Sequence, residues 1–336
     1  MDINLPLVWA MIILFGVVMY VVMDGFDLGM GILFPLFKEE HDRDVLRTPV
    51  APVWDGNETW LVLGGAGLLA AFPLAYSVIL SAFYLPLILM LLGLIFRGVA
   101  FEFRFKAHDH ERHFWDKSFI GGSIAAAFFQ GVTLGAYIEG IHVVDRAYAG
   151  GPLDWISPFS IFTGLSLLVA YGLLGSTWLI MKTEGDVQEK AYAITRKLVW
   201  VLLAVIVAVS VWTPFIDANI AERWFSLPNI LYLSPVPVLV ASSAYLLLRA
   251  VANKAHAAPF VFTLALIFLC YAGFGISLWP NIIPPDITIW QAASPPESQI
   301  FILVGTLLIL PVILGYTIWA YYVFRGKVRH GDEFYH

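Results

Sequence analysis

The chain has 336 residues, 60% of them hydrophobic and only 13% charged, with a mean hydropathy of +0.79. Soluble domains carry about 25% charged residues, so this composition excludes a soluble enzyme or binding module and indicates an all-α polytopic membrane protein. The formal net charge of −6 gives no sign of a nucleic-acid partner, and topology follows the placement of Lys and Arg instead of their balance against acids. The one Cys, Cys270, lies in an apolar run, which rules out an intrachain disulfide and a Cys-based metal site.

A helix needs about 20 apolar residues to cross the hydrocarbon core, and nine segments meet or approach that length: 5–37, 56–73, 75–103, 114–141, 158–181, 198–216, 235–252, 260–279 and 300–324. The first has no basic residue before it, no obvious cleavage site and a core longer than that of a signal peptide, so it is expected to be a retained helix. The second is the shortest. Its uninterrupted apolar run starts only at Trp60, so crossing the bilayer requires the polar stretch from Asp55 to Glu58 to join the helix.

With nine spans, all but two of the 19 Lys and Arg fall on one side; the exceptions are Arg146 and Arg223. The positive-inside rule then places the N-terminus outside and the C-terminus in the cytoplasm. The outer connections around 142–157 and 217–234 read as interfacial loops. Five prolines in 280–296 argue against helix there and for an ordered cap. The twelve Trp are expected mostly near the interfaces, as an aromatic belt.

The first span carries Met23-Asp24-Gly25-Phe26-Asp27-Leu28-Gly29. Asp24 and Asp27 are three residues apart, hence on one helix face, and Asp27 lies about 16 Å along the helix from Lys38, within the inner half of the membrane. Ionisable groups at that depth are costly and by default mark ion or proton movement; the alternative is a carboxylate bonded to a neighbouring helix for packing. Gly25, Gly29 and Gly31 permit close helix approach.

The second acidic cluster, Trp54-Asp55-Gly56-Asn57-Glu58, fits an N-capping Asp55 with Glu58 three residues on. It also fits a relay of carboxylates at increasing depth from the cytoplasm. In the third span, Glu102 stands between Arg97 and Arg104. Arg104 is placed to snorkel, while Arg97, seven residues deeper, is the better candidate to neutralise Asp24, Asp27 or a bound polar head group; a structural interhelical ion pair is the equal alternative.

The eight histidines, His41, His108, His110, His113, His142, His256, His330 and His336, all fall in expected connections or tails. A membrane haem usually takes a His from mid-helix, so haem ligation by this chain's own His is not expected, although a Met ligand stays open. His108, His110 and His113 read as a solvated loop in preference to a metal site. Glu139 reads as an exit-route acid or a solvated one, and Gln130 and Thr133 as interhelical hydrogen bonds.

Taken together, Asp24-Gly25-Phe26-Asp27-Leu28-Gly29, Ala51-Pro52-Val53-Trp54-Asp55-Gly56-Asn57, and Phe96-Arg97 with Phe101-Glu102-Phe103-Arg104 resemble subunit II of the cytochrome bd-type quinol oxidases. The brevity of the chain is similar to the cyanide-insensitive branch. The resemblance extends through the last span, where 311–322 is rich in aromatics.

It implies two four-helix bundles, within 1–141 and 142–279, and a peripheral ninth helix with a cytoplasmic tail in 280–336, in the bacterial cytoplasmic (inner) membrane. It implies a partner subunit I that holds two b-type haems and a third of d or b type, and that oxidises quinol and reduces oxygen without pumping protons. Subunit II then carries no redox centre. It supports the partner, contacts lipid, leaves room for a structural quinone and a small single-helix subunit, and lends acids to a cytoplasmic proton path. The path residues implied are Asp55, Asp27, Asp24 and Glu58; Arg97, Glu102 and Trp54 fall in the charge-partner and quinone region. Two other classes compete: an ion-coupled secondary transporter, which would show paired helix interruptions, and a purely structural scaffold.

Overall fold

The computed structural model describes residues 3–328, apart from the side chains of Phe105 and Asp109. Arg329, His330 and His336 lie outside the described residues. Nine long helices are present among those described: α1 (Leu5–Leu33), α3 (Trp54–Ala71), α4 (Pro73–Lys106), α5 (Asp109–Glu139), α6 (Pro158–Lys182), α7 (Gly185–Ile216), α10 (Pro235–Ala252), α11 (Ala258–Leu278) and α13 (Pro296–Val323). Eight of them are long and apolar enough to cross a membrane. The exception is α3, whose polar first turn dilutes its apolar content. Helix is the form such segments take because it satisfies every backbone N–H and C=O within the segment, where lipid offers no partner.

Local signals set the helix starts. Asn4 accepts from the backbone N–H of Leu7 and Pro6 occupies the first turn of α1; Ser157 caps α6 ahead of Pro158. Within α4, Pro86 cannot donate to the carbonyl four residues back, and the chain kinks at Phe83 (φ −117°, ψ 23°).

Several expectations are corrected. Helix α7 begins at Gly185, 13 residues before the apolar stretch at Leu198, because the polar turns ahead of it are helical too. The proline-rich segment is not free of helix: strands β3 (Asn281–Ile283) and β4 (Ile287–Thr288) pair antiparallel, and α12 (Ile289–Ala292) follows, capped by Thr288. The connections 142–157 and 217–234 hold structure as well, a hairpin of the two-residue strands β1 (Val143–Val144) and β2 (Ala147–Tyr148), and the helices α8 (Ala218–Phe225) and α9 (Asn229–Leu233). His110 and His113 sit in the first turns of α5, not in a loop, and His108 is its N-cap. Trp9, Trp60, Trp155 and Trp178 are buried in the core; Trp178 stacks on Phe26 with ring centroids 4.2 Å apart.

Helix α1 is the centre of the packing, contacting α3, α5, α6 and α13. Its closest neighbour is α6: a Cβ on Gly29 would fall 2.0 Å from the Tyr171 carbonyl oxygen, and one on Gly175 would fall 2.7 Å from the Gly29 carbonyl carbon. Only glycine allows two backbones this near. On the neighbouring face, a Cβ on Gly31 would lie 2.1 Å from Ser123 Oγ. Helix α13 lies on the outside, with Gln299 its one buried residue, and is tied on by two polar contacts: Trp9 donates to the Gln299 carbonyl (3.1 Å) and Tyr321 donates to Asn57 (2.9 Å).

The end of the molecule that carries most Lys and Arg is closed by α2 (Glu40–Arg47). Arg104 does not snorkel. It is buried and bonds Asp116 on α5 (2.5 Å) and Asp44 on α2 (2.6 Å). Arg43 adds Asp116 at 3.2 Å and Arg112 donates to Glu40 at 2.7 Å. The Arg112 contact holds the Glu40 carboxyl below its usual range. Arg47 donates to the carbonyls of Ala100 (3.2 Å) and Phe101 (3.0 Å), and its guanidinium lies 5.0 Å from the Phe101 ring centre and 5.5 Å from that of Phe119. These are cation–π distances.

Candidate functional site

Helices α1, α3 and α4 bring three carboxylates to a single guanidinium. Asp24 and Asp27 share the face of α1 that their three-residue spacing dictates, and both are 0% exposed, as is Arg97 on α4. Arg97 Nη2 donates to Asp24 Oδ1 and, at 2.6 Å, to Glu58 Oε1 on α3. Arg97 is thus paired with Asp24 and Glu58. Asp27 is reached differently: Asn57 on α3 donates to its Oδ2 at 2.7 Å and to the Met23 carbonyl at 3.4 Å. Tyr321 of α13 donates to Asn57 Oδ1. Above the guanidinium, the Trp54 ring centre is 5.8 Å from Arg97 Cζ.

A buried ion pair is not by itself a source of stability, because desolvating both charges offsets their attraction. Here the imbalance is larger, since Asp24, Asp27 and Glu58 face one cation. Among the described residues, Asp24 Oδ2, Asp27 Oδ1 and Arg97 Nε and Nη1 have no hydrogen-bond partner. Native interiors rarely tolerate such atoms without water, ligand or a proton.

Exposure grades the acids. Glu58 has 27% of its side chain exposed, while Asp55, one turn earlier in α3, is exposed outright. Asp55 does not cap α3: the N-cap is Val53, no side chain caps it, and Asp55 lies in the first turn. Glu102 is exposed on α4 beyond the buried cluster. The structure thus assembles Asp24, Asp27, Glu58, Arg97 and Trp54, sets Asp55 at the rim, and leaves Glu102 outside.

Asn57, Tyr321, Tyr20 and Gln130 complete the polar cluster and were not singled out as site residues in the sequence. Asn57 lies inside the acidic motif, and Tyr20 is one turn before Asp24; both spacings were available as signals. Nothing in the sequence marks Tyr321, 264 positions from its partner. Gln130 does make interhelical bonds, to Tyr20 and Tyr171, whereas Thr133 bonds within its own helix to the Phe129 carbonyl. Glu139 is exposed and accepts from Ser157 at 2.5 Å. Among the described residues, no group of three or more His, Cys, Asp or Glu is placed to hold a metal ion.

A helical membrane subunit built around buried acids and one arginine is the class this geometry defines. Residues 5–324 match the family described as cytochrome bd terminal oxidase subunit II. The chain is 30% identical over 374 residues to the cytochrome bd-I ubiquinol oxidase subunit 2 of Escherichia coli K12, covering 98% of this chain and 96% of that protein. It is 29% identical over 334 residues to the cytochrome bd ubiquinol oxidase subunit 2 of Bacillus subtilis 168, covering 96% and 97%. Its fold is similar to a chain in the structure of bd oxidase from Geobacillus thermodenitrificans, with a TM-score of 0.77, 15% identity, and 96% and 99% coverage. The chain belongs to the cytochrome bd terminal oxidase subunit II family, and so is a subunit of an oxidoreductase complex.

Proposed function

We propose that this chain is the subunit of a bacterial inner-membrane quinol oxidase that carries protons from the cytoplasm toward a haem-bearing subunit I. The carrying observation is the graded series of acids: Asp55 exposed, Glu58 partly buried, Asp24 and Asp27 fully buried, the last three gathered around Arg97. A low-dielectric site with more carboxylates than cations holds a proton more readily than it holds the surplus charge. The proton has acceptor atoms to move between, because Asp24 Oδ2 and Asp27 Oδ1 are not committed to donors.

In this reading the chain crosses the membrane nine times, with α3 as the second span, the N-terminus outside and the C-terminus in the cytoplasm. Residues 1–141 and 142–279 form the two bundles, and 280–336 the outer helix with its tail. Among the described residues, His41, His108, His110, His113, His142 and His256 lie in connections or at a helix start and not in mid-span. In this reading the two b-type haems and the third haem are the partner's. Quinol oxidation on the outer side and proton uptake from the inner side make the reaction electrogenic without a pump. Arg97 and Trp54 offer a donor and an aromatic face at the edge of this cluster, and in this reading they form, with Glu102, the charge-partner and quinone region; lipid and a small single-helix subunit fit the broad apolar exterior.

Proton uptake by the purified two-subunit complex in liposomes tests the reading. Asp24→Asn and Asp27→Asn are expected to slow oxygen consumption and uptake together. If both variants turn over and take up protons at the wild-type rate, the acids serve packing alone and the chain is a scaffold. A secondary transporter is disfavoured by the family match, which runs over residues 5–324.

A further inference from the structure

The last turn of α6 and the tail that follows α13 are laced together. Thr183 and Val328 form a parallel bridge, and the Val328 N–H donates to the Lys182 carbonyl at 2.7 Å. Lys182 Nζ donates in return to the Phe324 carbonyl at 2.7 Å, and Lys327 Nζ donates to the Thr183 carbonyl at 3.3 Å. This crossing brings Lys182 and Lys327 to the lining of one cavity of about 120 Å³, which Thr48, Pro49 and Pro52 from the turn after α2 also line.

Lys182 is 6% exposed, and lysines are almost never buried unless paired. Its ammonium has three donors, of which the Phe324 carbonyl takes one; the Trp178 ring, 5.1 Å from Nζ, adds a cation–π contact. Among the described residues it has no carboxylate partner. Lys327 has Glu184 at 4.0 Å and shares His256 Nδ1 (3.2 Å) with Gln188. Two positive charges therefore line the cavity against one distant, partly exposed acid, and a desolvated charge is costly until something of opposite sign meets it.

Size and position narrow the occupant. A water takes about 30 Å³, so the cavity has room for a small oxyanion, and it falls well short of the roughly 300–1,000 Å³ that holds a drug-sized ligand. Val323, the last residue of the membrane-spanning α13, and Phe324 share the lining, which puts the cavity at the level where lipid headgroups meet their chains. Basic pockets between helices at such a level suit phosphate-bearing headgroups. We propose that Lys182 and Lys327 form a binding site for a phosphate group, supplied by an anionic lipid, that pins the end of α13 to α6. A free phosphate ion offers the same oxygens, and the test separates the two sources. The inference is independent of the proton path, since none of the acids around Arg97 takes part.

The test uses the purified two-subunit complex, stripped of lipid by detergent exchange and titrated in parallel with phosphatidylglycerol, phosphatidylcholine of the same chains, and inorganic phosphate. Native mass spectrometry counts what is bound, and thermal unfolding follows the gain in stability. Phosphatidylglycerol is expected to bind and stabilise more than phosphatidylcholine, whose choline cancels the phosphate charge. Removing one charge-assisted donor with Lys182→Met is expected to weaken phosphatidylglycerol about tenfold. Lys327→Gln is expected to weaken it less, and Lys254→Gln, at an exposed lysine paired with Glu189, to leave it unchanged. Inorganic phosphate that binds as tightly as phosphatidylglycerol, and is lost in the same two variants, supports the phosphate site and makes the free ion its occupant. Equal binding of the two lipids overturns the proposal, as does an equal loss in Lys254→Gln and Lys182→Met, or no loss in either lysine of the cavity. If Lys182→Met does not assemble, Lys327→Gln, on the partly exposed tail, decides.

Discussion

Arg97 and Asp24 are 73 residues apart in sequence, on α4 and α1, fully buried, and bonded side chain to side chain. Neither charge has bulk water to fall back on. Removing one partner of such a pair leaves the other desolvated and alone, at a cost of about 3–5 kcal/mol. Arg97→Met is expected to lower the thermal stability of the complex by that order. Adding Asp24→Asn to it is expected to recover part of the loss, because the stranded carboxylate is then gone. Unfolding of the purified variants, compared as a double-mutant cycle, measures the recovery.

Asp55 predicts the opposite pattern. It is exposed and caps nothing, and surface substitutions away from caps and pairs usually stay within about 0.5 kcal/mol. Asp55→Asn is expected to leave stability unchanged while slowing proton uptake. Equal uptake rates in wild type and variant, followed by a pH indicator trapped in liposomes, would remove Asp55 from the path.

Asn57 ties α13 and α3 to α1, through Tyr321 on one side and Asp27 on the other. Tyr321→Phe removes one neutral hydrogen bond and is expected to cost about 1 kcal/mol. Asn57→Leu strands Asp27 Oδ2 as well and is expected to cost more. Thermal melts of the two variants rank the effects, and an Asn57→Leu complex as stable as Tyr321→Phe would show that Asp27 does not depend on that donor.

Gly29→Ala would drive a methyl group into the Tyr171 carbonyl, 2.0 Å away, where backbone and not a flexible side chain is the obstacle. The α1 to α6 contact is expected to open and the yield of assembled complex to fall sharply. Gly65→Ala, at a position with open space around it, is the control expected to assemble normally.

Glu40 supplies a small pH dependence at the basic end. Its carboxyl is held low by Arg112, so its contribution to stability is present above the pKa of the unfolded chain, about 4.3, and is lost as pH falls through the lower folded value. Both side chains are largely exposed, at 62% and 38%, and screening keeps the effect small. Arg112→Gln is expected to flatten the acid side of the stability curve slightly, an effect that fades in high salt. A dependence that persists in high salt would point to the buried Arg104 pairs instead.

Much of the architecture was readable from composition and spacing. Apolar length located all nine long helices, because lipid leaves the backbone no other way to satisfy itself; the α7 boundary slipped because the rule sees apolar residues and not helix. The three-residue spacing put Asp24 and Asp27 on one face, and the depth of Arg97 made it a candidate partner for either; it bonds Asp24 and Glu58, and Asp27 is left to Asn57. Of the two readings open for Asp55, capping is not realised, because a capping pattern is local while the helix start depends on the turn after α2.

The amino-acid order by itself determined that this is a helical membrane subunit, where its helices run, and that it carries acids where acids are costly. Which carboxylate takes the guanidinium, which takes the amide of Asn57, and which stands at the rim were decided only by the tertiary structure. The reason is physical: helical periodicity acts over a few residues, but the contact of α1 with α6 through Gly29 and Gly175, and the Tyr321, Gln130 and Arg97 bonds, join positions tens to hundreds of residues apart. No local rule encodes how those helices pack against each other.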